Sequence, residues 1–259
     1  MLAAALTIAG SDPSGGAGLQ ADLKIFHRFG VYGEAAPTLI TVQNTCGVRR
    51  IEVLSPELVE EQIRAVLDDI PPDAVKTGAL GNAGVVEAVA RALERFEGPL
   101  VVDPVMASKN GATMTDEPAR RTLVEKLLPR ASLVTPNLEE AAALASMPVD
   151  DLDSMARAAE KLRSMGSRNV LVKGGHLEGD PVDLLLNSRG EFQQFTGRRS
   201  ATRHTHGTGC VYSAAITAHL ALGLQLAEAI QRSKNFVSEA IRTNPGLGRG
   251  SGPLNLFAE

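Results

Sequence analysis

The sequence predicts an α/β fold in which a mostly parallel central sheet is flanked by helices and followed by a late β-hairpin. Three observations carry that reading. Short apolar runs alternate with longer amphipathic ones, the rhythm of strand-helix units. Glycine and polar residues gather directly after the apolar runs, where an open parallel sheet binds its ligands. Finally, 259 residues, 44% of them hydrophobic, suffice for one large core without disulfides or a structural metal. No long linker, repeat or low-complexity block interrupts the chain, so residues 1–259 are expected to form one domain.

The first strand is expected at 3–9, a continuous apolar run around Thr7 that stops at Gly10. A helix follows at 18–29, where Leu19, Leu23 and Phe26 share a face and Gly30 closes the run. The second strand is 35–42. Residues 56–69 begin on Pro56 and repeat Val59, Ile63 and Val66 at helical spacing. A short strand at 74–77 leads to a helix at 83–96, with Val85, Val89 and Leu93 in register. Strands at 100–102 and 133–135 bracket a helix at 117–128. Helices at 137–145 and 151–165 then precede a strand at 170–173. Beyond Lys173 the rhythm changes: 183–187 and 191–196, joined by Ser188-Arg189-Gly190, read as an antiparallel hairpin. Helices at 209–223 and 226–242 and a glycine-rich tail at 246–253 complete the fold.

Composition excludes several functions. The formal net charge is −4, against the basic stripe a general nucleic-acid binder needs, and seven Phe, two Tyr and no Trp leave little for base stacking. Cys46 and Cys210 stand far apart with no C-x-x-C, which supports neither a disulfide framework nor a zinc ribbon and fits a reducing cytoplasm. The N-terminal residues lack the pattern of a signal peptide, and no uninterrupted apolar run reaches membrane-spanning length.

Gly16-Ala17-Gly18-Leu19-Gln20-Ala21 satisfies the loose dinucleotide pattern G-x-G-x-x-A, but it follows the first strand too late, and the next strand ends in Gln43-Asn44 rather than an acid. It reads better as a polar loop lining a small-ligand pocket. A phosphate-binding P-loop is absent, since Asp180 follows Gly174-Gly175-His176-Leu177-Glu178-Gly179. Stronger is Thr205-His206-Gly207-Thr208-Gly209-Cys210, which runs into an apolar helix. Its glycines let successive amides converge beside a helix N-terminus, an arrangement suited to a transferring phosphoryl group, and Thr208 can add a hydrogen bond. Cys210 falls in the first helical turn, where the dipole favours thiolate over thiol. His204 and His206 lack the further ligands a metal site needs and are expected to pack and hydrogen-bond. Asn137 and Glu140 have the spacing of a capping box; as oxygen ligands at a strand end they also suit Mg2+, with Asp103 nearby. Lys173, at another strand end, offers a point charge for a phosphate.

Residues 5–24, Gln43-Asn44-Thr45-Cys46-Gly47-Val48, Asp103-Pro104-Val105-Met106, Thr135-Pro136-Asn137, Lys173-Gly174-Gly175-His176 and Thr205 to Cys210 resemble, in order, the hydroxymethylpyrimidine/phosphomethylpyrimidine kinases of thiamine biosynthesis, members of the ribokinase-like superfamily. The resemblance implies a three-layer ribokinase-like fold, a homodimer, and ATP with Mg2+ as cofactors. It implies transfer to the hydroxymethyl oxygen of 4-amino-5-hydroxymethyl-2-methylpyrimidine, then to the resulting monophosphate. Cys210 is then the base of the first transfer, with Gly207, Thr208 and Gly209 as anion hole. Lys173, Asn137, Thr208 and Gly209 bind the nucleotide, and Asp103, Asn137 and Glu140 hold the metal. Gln43 pairs with the aminopyrimidine, accepting from its amine and donating to a ring nitrogen; Gly10, Asp12, Ala17, Ala79 and Val105 line the rest of the substrate site.

Three positions depart from the family pattern. Ala79, in Lys76-Thr77-Gly78-Ala79-Leu80, replaces a methionine expected to pack on the pyrimidine, so the pocket is roomier or filled from elsewhere. Val211-Tyr212 stands where Thr-Leu is usual, and Asn110 stands where serine is usual. Pyridoxal kinase is the nearest rival, with a silent pyrimidine-binding protein and a nicotinamide oxidoreductase behind it.

Overall fold

The computed structural model describes residues 2–108 and 111–258; the Asn110 departure lies outside them. Nine strands among the described residues form one sheet: β1 (Ala4–Ser11), β2 (Tyr32–Asn44), β3 (Gly47–Val53), β4 (Ala74–Thr77), β5 (Leu100–Val102), β6 (Leu133–Val134), β7 (Val170–Val172), β8 (Val182–Leu186) and β9 (Phe192–Thr196). Their order is β3-β2-β1-β4-β5-β6-β7-β8-β9. From β2 through β7 the neighbours run parallel, while β3, β8 and β9 are antiparallel additions at the two edges.

The helices are α1 (Gly18–Arg28), α2 (Pro56–Asp69), α3 (Ala83–Ala92), α4 (Glu117–Thr122), α5 (Leu138–Ala145), α6 (Leu152–Ser164), α7 (Thr208–Ala221) and α8 (Leu226–Arg242). Their apolar faces divide into two layers. Val59, Ile63, Val89, Leu144 and Met155 pack α2 to α6 on one face of the sheet, with Leu6, Ile8 and Val102. Ile25, Phe26, Ile216 and Ile230 pack α1, α7 and α8 on the other, with Ala5, Val101 and Leu171. The alternation of one strand's residues between two cores explains why these strands read as continuous apolar runs. The three-layer architecture and the late hairpin are therefore as expected, and no helix among the described residues is long and apolar enough to cross a membrane.

Three segments differ from the sequence expectation. β3 is an unforeseen edge strand, because Arg49 and Arg50 spoil its apolar alternation; its ladder to β2 holds it, and its exposed Arg50–Glu52 pair suits an edge. The helix expected at 117–128 leaves α geometry after Thr122, continuing as a π turn at Leu123–Leu127 and a 3-10 turn at Leu128–Arg130 that contains Pro129. The glycine-rich tail is not loose: Ser251 N donates to Thr45 O at 3.0 Å, His206 N donates to Gly252 O at 3.1 Å, and Leu254 and Leu256 beyond are buried.

β1 connects to β2 on one side and, later, pairs with β4 on the other. The crevice beyond the carboxyl ends of these strands is a topological switch point, the usual ligand site of an open α/β sheet.

One buried group lies apart from it. Glu34 on β2 is only 8% exposed, its Oε2 has no hydrogen-bond partner, and burial pushes its carboxyl up to about 7. Between its ordinary value and about 7 the unfolded chain releases a proton that the folded chain keeps, so stability falls as pH rises through this window. Glu34→Gln is expected to shrink the drop in melting temperature between pH 5 and pH 8, read by calorimetry; an unchanged drop contradicts the assignment.

Candidate active site

All the site residues expected from sequence line one cleft of about 570 Å3 at the switch point. Gly10 lies at the end of β1 and Asp12 follows it, Gln43 lies at the end of β2, Asp103 follows β5, Asn137 follows β6 and Lys173 follows β7, while Gly207 to Cys210 arrive with α7. A Cβ on Gly10 would lie 2.6 Å from Leu39 Cδ1, so any larger residue there requires Leu39 to shift.

The anion end is built on the first turn of α7. Gly207 is its N-cap in the left-handed region (φ 79°), and a Cβ there would lie 1.9 Å from the carbonyl oxygen of Gly16, so no side chain fits. The amides of Gly209 and Cys210 lie where no carbonyl one turn back can accept them. Thr208 lines the cleft, and its hydroxyl and its amide both donate to Thr205 O, at 2.8 and 3.3 Å, which tightens the turn. Opposite stands Lys173, whose ammonium would be 3.2 Å from a Cβ on Gly209. Burial opposes its charge, but Asp103 at 2.9 Å and then Glu140 hold it above the ordinary lysine value. Burial would likewise raise Asp103; Lys173 and Lys76, with the Ser213 hydroxyl at 3.0 Å, keep its carboxyl below the usual range.

Asn137 and Glu140 form the capping box. Asn137 Oδ1 accepts from Glu140 N and Asn137 N donates to Glu140 Oε2, each at 2.8 Å. Burial pushes Glu140 up to about 7, against the pull of Lys173. The residues expected to hold a metal lie together in the cleft with partners of their own: Asp103 is turned to Lys173, Asn137 and Glu140 are bound to each other, and no group of three or more acidic, His or Cys side chains able to hold a metal occurs among the described residues.

Cys210 sits in the first turn of α7 as expected, but the expected lowering of its pKa does not occur. Burial pushes the thiol up to about 11; Lys76 opposes this, while Asp22 and Asp103 add to it. Desolvation is the largest cause of the rise. Lys76 is the site residue that sequence reading overlooked. Its side chain is fully buried under the cleft, paired with Asp22 Oδ2 at 2.8 Å, and Thr7 donates to the same oxygen at 2.6 Å. Burial works against its charge, yet Asp22, with Cys210 and Asp103, holds the ammonium above the ordinary value. A lysine inside an apolar strand such as Ala74–Thr77 was the available signal, since a lysine is almost never fully buried unless paired.

Beside the start of α7, Asp12 shapes its own loop. Its Oδ1 accepts from Ser14 N at 2.9 Å and Ser14 Oγ at 2.7 Å, and its Oδ2 accepts from Ala17 N at 3.0 Å and lies 2.7 Å from His206 Nε2. Burial would raise it, but His206 and Ser14 keep it below the usual carboxylate range. His204 Nδ1 accepts from Gly252 N at 3.1 Å, so both histidines of the H-x-H pair are hydrogen-bonded, as expected. Ala79 lies on the wall of the cleft, which Leu39, Met106 and Met114 also line. Val211 is fully buried in the apolar layer and does not line the cleft, so the hydroxyl missing there takes nothing from the anion end. Tyr212 does line it, with Lys234 5.9 Å from its ring centre and Lys234 paired to Asp183 at 2.6 Å.

Residues 12–255 match the family model described as phosphomethylpyrimidine kinase. The hydroxymethylpyrimidine/phosphomethylpyrimidine kinase of Bacillus subtilis (strain 168) is 45% identical over 256 residues, covering 98% of this chain and 94% of the relative. The crystal structure of phosphomethylpyrimidine kinase from Clostridium difficile 630 superposes with a TM-score of 0.82 at 41% identity, over 92% of this chain and 99% of that one. The pyridoxal kinase of Staphylococcus aureus in complex with AMP-PCP and pyridoxal superposes with a TM-score of 0.91 at 34% identity, over 100% of this chain and 95% of that one.

Proposed function

The chain belongs to the phosphomethylpyrimidine kinase family, and on that footing we propose that it phosphorylates 4-amino-5-hydroxymethyl-2-methylpyrimidine with ATP, first to the monophosphate and then to the diphosphate, in thiamine biosynthesis. One observation carries this reading beyond family membership: Gln43, Cys210, Lys173 and the first turn of α7 meet in a single cleft. It thus holds a partner for an aminopyrimidine edge, a group beside the acceptor oxygen and cationic donors for a phosphoryl group.

Phosphoryl transfer needs positioning and charge stabilisation more than covalent chemistry. In this mechanism Gln43 orients the pyrimidine so that its hydroxymethyl oxygen faces Cys210. Lys173 and the amides of Gly209 and Cys210 hold the transferring group, and Cys210 Sγ takes the hydroxyl proton. Sγ must therefore be a thiolate beforehand and ends as the thiol, and Lys76, a fixed positive charge close by, favours that starting thiolate. The carboxylates of Asp103 and Glu140, with the Asn137 amide, are hard oxygen donors lining the cleft that would hold Mg2+ beside the nucleotide phosphates. When bound, Mg2+ offsets charge on those phosphates.

The reading includes one domain over residues 1–259, a cytoplasmic location and a homodimer. Ile40 and Val42, half exposed at 50% and 51% on β2, support the last, and light scattering checks it. Phosphorylation of pyridoxal is the second reading, favoured by the solved pyridoxal kinase neighbours and by Ala79 in place of methionine. Competition between the two alcohols, followed by ADP release, tests the choice. The aminopyrimidine is expected to suppress pyridoxal phosphorylation, and the reverse dominance would reject the main reading.

A further inference from the structure

His206 occupies a junction that the mechanism above leaves unused. It is 6% exposed, packs against the 12–17 loop at Gly16, and immediately precedes Gly207. Its Nε2 lies 2.7 Å from Asp12 Oδ2 and 3.3 Å from Gln43 Nε2. Asp12 acts only as an acceptor here, since its oxygens already take hydrogen bonds from Ser14 N, Ser14 Oγ and Ala17 N. A 2.7 Å contact between such a carboxylate and a ring nitrogen requires the proton on the nitrogen. His206 Nε2 is therefore a donor, and Gln43 presents another donor to it. Turning the Gln43 amide over replaces that unfavourable meeting of two donors with Oε1, which takes the longer branch of the one Nε2–H that His206 gives chiefly to Asp12.

Resting on the function proposed above, we infer that His206, held in its Nε2–H form by Asp12, fixes which way the Gln43 amide faces and thereby selects an aminopyrimidine in one orientation. With Oε1 on the His206 side, the oxygen accepts from the 4-amino group and the amide nitrogen donates to the adjacent ring nitrogen. The 5-hydroxymethyl group is next on the ring beyond the amine. It then points past His206 to Gly207–Cys210, where the anion end lies. Without His206, the amide of a glutamine is free to present either edge, and recognition loses its sign. His206 is in this sense a positioning residue, acting through Gln43.

The discriminating probe is the 4-oxo analogue of the substrate, which offers a carbonyl oxygen and a ring N–H and so demands the opposite amide edge. Wild-type protein is expected to favour the 4-amino alcohol over this analogue by at least 10²-fold in kcat/KM, since the wrong edge leaves two polar groups unpaired. His206→Leu is expected to reduce that ratio at least tenfold, with the change in KM, whereas His206→Gln, which returns an N–H donor, restores much of it. Asp12→Asn carries the same test should the leucine variant not fold, because its amide allows the imidazole to give up the Nε2 proton. Equal use of both alcohols by the wild type, or a ratio unmoved in the variants while both activities fall together, overturns the inference. A wild type that phosphorylates neither pyrimidine instead rejects the function on which it rests.

Discussion

Cys210→Ala is expected to slow the first phosphoryl transfer by about 10²–10⁴-fold, the usual worth of a positioned general base, while changing the second severalfold or less. The asymmetry follows from the two acceptors. A hydroxymethyl oxygen must lose its proton as the new bond forms, and Cys210 Sγ is the group placed to take it. The monophosphate is already an anion at neutral pH and needs no such help. Burial, which pushes the Cys210 thiol up to about 11, adds a pH signature. At neutral pH only a small fraction of the free protein carries the thiolate, so kcat/KM for the alcohol is expected to rise by up to tenfold per unit from pH 7 to about 9. The second transfer is expected to lack this rise, and Cys210→Ala to abolish it. Separate assays with each acceptor check both points; equal losses in the two transfers contradict the role given to Cys210.

Lys173→Met is expected to behave oppositely, cutting both transfers by about 10²–10³-fold, the usual loss of a charge-stabilising group in a preorganised site. The same ammonium meets the transferring phosphoryl group whichever acceptor is bound. Asp103, 1% exposed and 2.9 Å from Lys173, loses its main partner, and Lys76 remains as the second cation beside it. Breaking a buried pair in this way costs about 3–5 kcal/mol of stability, so a lowered melting temperature should accompany the kinetic loss. A variant that keeps one transfer and loses the other would contradict this assignment.

Much of this was legible in the sequence because the fold repeats one device. Each strand end carries its own signal, such as Gly10 at the end of β1, Asp103 after β5 and Lys173 after β7, and a parallel sheet gathers these ends in one crevice. Helices with strong periodicity and a cap, such as Pro56–Asp69 after Ser55, lie where spacing puts them. What sequence could not supply was partnership across the chain. Lys76 and Asp22 are 54 positions apart and His206 and Asp12 are 194 apart, so neither pair leaves a local pattern. The same holds for β3, whose existence depends on a ladder to β2. The Cys210 thiol was misjudged for a related reason: the helix dipole is visible in sequence, while the desolvation that raises the thiol depends on the tertiary fold.

Incubating the protein with ATP, Mg2+ and 4-amino-5-hydroxymethyl-2-methylpyrimidine, and separating the products over time, is the most direct test of the proposed kinase. The monophosphate should accumulate first and the diphosphate follow, with ADP released at each transfer. Absence of both phosphorylated pyrimidines, under conditions where the protein is folded, would contradict the proposed activity.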